Sequence, residues 1–321
     1  MFGRKELISL SVFLTIVLSL LFFFAPQKPA PQVTKIGFLS HFRDLVTYES
    51  KMEGALDDLA ADINGRNLDL LIILGDYTED QEDEDYRTFR RFLGKLNPQV
   101  LSSPGNHEVI ERGKKTGYKK YLDVFDYKYK IETVNNVQIL LIDTNDLDKN
   151  ILQWLRKSEQ QIDKEKFVLI AGHHRFWDSW SIFTETHGTF LRNSGASIVK
   201  TTISYADLYV NGDFYPYVSK LRKMETKEGS VQLLHSGMGT SGYFGNPLLY
   251  YVATIEKKKK VSVEPVIFEI GPYHSWYSMK YSERVFVPNY PKHWEFPEFD
   301  IRSTFIEGWP RNTKLLDPRR P

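Results

Sequence analysis

The sequence predicts a layered α/β domain built on mixed β-sheet and flanked by helices, behind an N-terminal transmembrane helix. Three observations carry this. The nearly continuous apolar runs VTKIGFLS (33–40), LDLLIILGD (68–76) and KFVLIAGHH (166–174) suit strands buried on both faces. Between them apolar residues recur at helical spacing, which gives a βαβα alternation. Two later segments read as hairpins and bring antiparallel strands into the sheet.

The elements follow in chain order. Residues 7–24 form an uncharged run of eighteen, behind Arg4 and Lys5, near the lower end of what a helix needs to cross a bilayer. The basic flank would keep the N-terminus cytoplasmic and place the rest of the chain outside. A cleaved signal peptide and a buried core helix are the alternatives; against the first, the run is long for a signal core and APQKPAPQ offers prolines where a cleavage site would want small residues. Residues 1–32 are thus an anchor and a Pro-rich linker, 33–270 the main domain, and 271–321 an extension packed over it. Met52, Leu56, Leu59 and Ile63 line one helical face, Tyr86, Phe89, Leu93 and Leu96 a second, and Ile151, Trp154, Leu155 and Ile162 a third. Residues 130–146 turn at Asn135-Asn136, and 250–270 turn at the lysine run 257–260. The extension holds seven of the fifteen prolines and eleven aromatics, which reads as irregular structure.

Composition excludes several classes. With 42 Lys+Arg against 41 Asp+Glu there is no overall charge to draw nucleic acid, and none is expected as a partner. The absence of cysteine excludes disulfides, thiolate metal sites and cysteine nucleophiles, so any metal must use N and O ligands. The acidic run 79–85 lacks the glycine and spacing of a calcium loop and reads as a solvated loop and helix start.

The chemistry gathers at strand ends. Gly75-Asp76, Gly105-Asn106-His107-Glu108 and Gly172-His173-His174 stand at the ends of core strands, and glycine beside each polar residue lets the chain turn sharply there. Carboxylate, amide oxygen and imidazole together suit Zn, Mn, Fe or a similar divalent ion.

These blocks resemble the calcineurin-like metallophosphoesterases, whose pattern runs D-x-H, GD-x-x-D/N, GNH-D/E, a strand ending in His, and GH-x-H. LGDYTED, PGNHEV and VLIAGHHRFW match the middle three, and the likeness covers about residues 33–270. The resemblance implies a layered mixed β-sheet sandwich flanked by helices, hydrolysis of a phosphate ester, and divalent metal. The first block departs, reading Ser40-His41-Phe42-Arg43, and the last reads Gly212-Asp213-Phe214-Tyr215. Carried over, one metal site becomes Asp76, Asn106, His173 and Asp213, and the other becomes His41, Arg43, Asp76 and Tyr215. Arginine cannot ligate, because its guanidinium offers only donors. One ion is therefore expected rather than two, with Arg43 standing in for the second by gripping phosphate oxygens.

By the same resemblance His107 stabilises the phosphoryl group or protonates the leaving group, Glu108 orients its loop or meets substrate, and His235 lies near the crevice. Plainer roles compete: His41 hydrogen-bonded to Asp213, Arg43 paired with Asp44 or Asp76, Tyr215 as a simple hydrogen-bonding phenol, and His174, His187, His274 and His293 structural. Two functions follow, a membrane-anchored phosphoesterase, or a pseudoenzyme of the same fold that binds a phosphorylated ligand or a protein.

Overall fold

The computed structural model describes residues 33–48, 54–79, 81–111, 114–115, 117–145, 149–174, 205–214, 222–226, 229–237, 248–257 and 260–268. The expected anchor and linker, Tyr215 and the 271–321 extension lie outside them, as do the side chains of Asp213 and His235.

β1 (Thr34–Leu39), β2 (Leu70–Ile73) and β3 (Gln99–Ser102) run parallel, and the hairpin of β12 (Leu248–Lys257) and β13 (Lys260–Phe268) adds to them antiparallel, in the order β13-β12-β1-β2-β3. The second sheet has six strands. β7 (Val137–Ile142), β8 (Phe167–Gly172), β9 (Leu208–Phe214) and β11 (Gly229–Gly237) are parallel, with β6 (Lys130–Val134) and β10 (Arg222–Thr226) antiparallel at the edges. A further two-stranded ribbon joins β4 (Ile110–Glu111) to β5 (Lys114–Lys115).

The two sheets pack face to face. Ile36, Phe38, Leu70 and Ile72 of the first share one buried cluster with Ile139, Leu141, Leu169, Ala171, Leu208 and Val210 of the second. The alternate residues Leu39, Leu71 and Ile73 face the other way, onto α1 (Arg43–Thr47), α2 (Ala55–Gly65), α3 (Asp83–Leu93) and α4 (Lys119–Phe125). On the far side, Leu140, Ile142, Val168 and Ile170 pack against Leu155 of α5 (Lys149–Glu159). Period-two alternation thus puts apolar side chains on both faces of the inner strands, which is why they read as unbroken apolar runs.

Within 33–270, the strands, the helices and the hairpins predicted above form among the described residues, with shifted ends. Asn135 holds the β6–β7 turn at φ 54°, a left-handed conformation that asparagine tolerates better than most residues. Asn136 Oδ1 accepts a hydrogen bond from Thr34 Oγ1 at 2.7 Å, which ties this turn to the first sheet. The lysine run sits at the β12–β13 tip, where Lys257 pairs with Lys260. No helix among the described residues is long and apolar enough to cross a membrane.

Candidate metal centre

The carboxyl ends of β1, β2, β3, β8 and β9 converge, and close backbone contacts fix the loops that follow them. His41 N–H donates to Gly75 O at 3.2 Å and Arg43 N–H to Asp76 O at 3.2 Å, locking the first loop to the second. Gly212 N–H donates to His173 O at 3.0 Å, and Ser40 Oγ donates to Gly212 O. Glycine is required where these loops touch: a Cβ on Gly105 would lie 2.2 Å from Asp76 Oδ1, and one on Gly212 would lie 2.2 Å from Leu74 O. His41 and Asp76 both take φ 55°, a left-handed conformation that costs a non-glycine residue roughly 1–2 kcal/mol. That strain turns both side chains toward one point.

Glu108 supports this arrangement from below. Its buried carboxylate accepts hydrogen bonds from the peptide N–H groups of Asp76 (2.7 Å), Gly105 (2.8 Å), Tyr77 (3.0 Å) and Thr78 (3.1 Å). Burial and then the Asp76 charge push its pKa up, against which these donors work. Of the two roles expected for it, the structure places Glu108 in the loop-orienting one, at 0% exposure and with both oxygens engaged.

Four side chains meet above it. Asp76 Oδ2 lies 3.1 Å from His41 Nε2, and Oδ1 lies 3.4 Å from His173 Nε2 while accepting the His107 N–H at 3.3 Å. His173 Nδ1 is 2.7 Å from Leu74 O, which can only accept, so the ring proton sits on Nδ1. In the neutral ring Nε2 then presents its lone pair to Asp76 and to Asn106 Oδ1, 3.2 Å away. Ligand atoms of His41, Asp76 and His173 all lie within 4.8 Å of one another, and all three residues are buried. Burial pushes the His41 pKa well below its usual value, with the Asp76 carboxylate pulling the other way. Burial alone would raise Asp76, but His173, His41, His107 and Arg43 hold it below the usual carboxylate range. A carboxylate and an amide oxygen facing the His173 Nε2 lone pair in a buried space repel it unless a cation lies among them, so the donor set fits a divalent ion.

Beside this cluster stands a second constellation. Arg43 Nε is 2.8 Å from Glu79 Oε2, and Arg43 Nη1 donates to His107 Nε2. His107 Nδ1 is 2.6 Å from Glu79 O, a carbonyl, so its proton is on Nδ1 and Nε2 is the acceptor. Arg43 thus meets Glu79, a partner outside the expected Asp44 and Asp76, and His41 faces Asp76. His174 sits to one side, its Nδ1 2.8 Å from Thr144 Oγ1. Glu79 escaped the sequence reading because it opens an acidic run, although it occupies the last position of the GD-x-x-D/N block. The backbone of Asp213 reaches the site through Gly212, while His235 lies on β11.

A family model for calcineurin-like phosphoesterases matches residues 41–250, more than half of the chain. The chain belongs to this family. The calcineurin-like phosphoesterases use divalent metals, and in this member His41, Asp76 and His173 form a cluster that could hold one. No curated protein matches the chain. Among solved structures, a purple acid phosphatase from yellow lupin is 11% identical with a TM-score of 0.49, covering 75% of this chain; the chain spans only 52% of that protein. A dimetal phosphatase from Danio rerio is 12% identical over 74% of this chain and 99% of its own, with a TM-score of 0.47. GAP50, described as the anchor in the inner membrane complex of Plasmodium, is 12% identical over 73% of this chain and 84% of its own, with a TM-score of 0.46.

Proposed function

We propose that this protein is a membrane-tethered phosphoesterase that works with one divalent ion, Mn, Zn or Fe, and uses Arg43 where a second ion would otherwise lie. The observation that carries the proposal is the convergence of His41, Asp76, Asn106 and His173 around one buried point, with the Arg43 guanidinium beside it. Asp76, Asn106 and His173 would hold the ion together with His41, and the family resemblance adds Asp213 to this set. When bound, such an ion supplies Lewis-acid chemistry, activating water and drawing charge from phosphoryl oxygens. The chain's own groups do the rest. Arg43 offers planar N–H donors to phosphoryl oxygens. His107 fixes the guanidinium in place through Nε2. Donating a proton to a leaving group would require it to turn away from Arg43, so the general-acid role is secondary to this positioning. Tyr215 and His235 remain candidates for substrate contact.

Residues 7–24 supply the tether in this reading, with the 33–270 domain on the outer side by the placement of Arg4 and Lys5. The catalytically silent alternative, a member that binds a phosphorylated ligand or a protein partner, draws on one observation: Arg43 Nε and Nη1 and both His107 nitrogens are already engaged by protein groups.

Metal analysis and hydrolysis decide between them. Purified protein loaded with Mn or Zn should carry about one equivalent of metal, lost in Asp76→Ala, and should hydrolyse an aryl phosphate or bis-aryl phosphate. Two equivalents would sink the role given to Arg43. Bound metal with no turnover of either ester leaves the silent alternative, and no bound metal ends the enzyme reading.

A further inference from the structure

Glu79 is built into the site rather than lying on its surface by accident. Its carboxylate holds Arg43 Nε at 2.8 Å, its carbonyl accepts from His107 Nδ1 at 2.6 Å, and its N–H donates to Asp85 Oδ2 at 3.3 Å. Asp85 is itself buried and accepts from Thr47 Oγ1 at 2.9 Å, so the segment bearing Glu79 is held from both sides. The Glu79 side chain is 33% exposed while that of Arg43 is 10% exposed, so an anion arriving from solvent meets the carboxylate next to the guanidinium it seeks.

The consequence is electrostatic. A lone buried guanidinium attracts a phosphate in proportion to the charge that the phosphate carries. With Glu79 at its edge the pair is neutral overall, and what remains for the ligand is directional hydrogen bonding, which a singly charged phosphodiester satisfies as well as a doubly charged monoester. The second negative charge of a monoester gains little from Arg43 and is repelled by Glu79.

We infer that Glu79 is a specificity-determining residue that neutralises Arg43 and so turns the site toward singly charged phosphodiesters and against doubly charged phosphomonoesters. The inference rests on the phosphoesterase reading above and concerns binding, so it is tested without turnover. Calorimetric titration of the Mn-loaded protein would compare phenylphosphonate, at a pH where it carries two charges, with its singly charged monomethyl ester. Wild type should bind the monoanion at least as tightly. Glu79→Gln, which keeps an acceptor for Arg43 but removes the charge, should strengthen dianion binding about five- to tenfold and monoanion binding by about half that or less, the scale expected for a partly exposed charge at this distance. Glu79→Asp retains the charge and should retain the wild-type ratio. A ratio that is unchanged in Glu79→Gln, or shifted equally by both variants, overturns the inference, as does binding of neither probe by any of the three proteins. Metal content is measured on the same samples: loss of Asp76-dependent metal uptake brings down the phosphoesterase reading itself, whereas an unchanged ratio in metal-loaded protein brings down only the role of Glu79.

Discussion

Asp76 and Glu108 divide two carboxylate tasks at one strand end. Asp76 turns its oxygens outward to two imidazoles, and Glu108 turns its oxygens inward to peptide N–H groups. Each Glu108 oxygen accepts from two peptide donors, so exchanging one oxygen for an amide would set an NH2 group against N–H groups that point at it. Glu108→Gln should therefore lower stability by about 3 kcal/mol, since bonds to a charged acceptor are worth roughly 1.5–3 kcal/mol each, read as a shift of the denaturant midpoint. A midpoint within experimental error of wild type would refute the clamp. At this scale the sequence was partly legible. Asp76, Asn106 and His173 stand beside glycines after apolar runs and could be found by that pattern. The roles of Glu79 and Ser40 could not, although Glu79 fills a motif position, because each acts through a partner that is remote in sequence: Glu79 on Arg43, Ser40 on Gly212.

The helical layer protects the first sheet as well as covering it. β3 is an edge strand, and edge strands expose unpaired N–H and C=O groups. Here Tyr121 of α4 donates its hydroxyl to Ser102 O at 2.8 Å, and the Tyr127 hydroxyl accepts the Ser102 N–H at 3.0 Å, so two phenols stand in for a missing neighbour. Nearby, Tyr77 stacks on Phe89 of α3 with ring centroids 3.8 Å apart. Burial pushes the pKa of these phenols up: Tyr127 reaches about 12, and Tyr77 and Tyr121 rise well above their ordinary value. A phenol raised in the folded state stabilises fully below the unfolded pKa of about 10 and loses that contribution as pH climbs through the folded value; for Tyr127 this amounts to about 2–3 kcal/mol. Alkaline titration should accordingly show tyrosinate absorbance rising together with loss of the folded signal between about pH 10 and 12. Tyr127→Phe removes one such phenol and should move the loss of folded signal to higher pH; an unchanged alkaline transition in that variant would contradict it. The spacing of Tyr86, Phe89 and Leu93 foretold the helix, but not that neighbouring tyrosines would complete a sheet edge.

For the whole molecule, the proposed tether makes a prediction of its own. The full chain should sediment with membranes and resist alkaline carbonate, while a chain lacking residues 1–32 should remain in the supernatant with its metal uptake unchanged. Recovery of the full chain in the supernatant, or of a shortened form cut near residue 25, would displace the anchor in favour of a peripheral protein or a cleaved signal. What the sequence alone determined is the layered α/β plan, because strands buried on both faces and helices buried on one impose distinct apolar periods that can be read along the chain. The middle three motif blocks were legible for the related reason that glycine marks sharp turns at strand ends. Only the tertiary structure decided which charges answer which. Arg43 and Glu79 are brought together by the parallel pairing of β1 with β2, and the imidazoles of His41 and His173 come to one carboxylate through the face-to-face packing of two sheets. A charge pair depends on distance in space, and no local pattern in the chain encodes that distance.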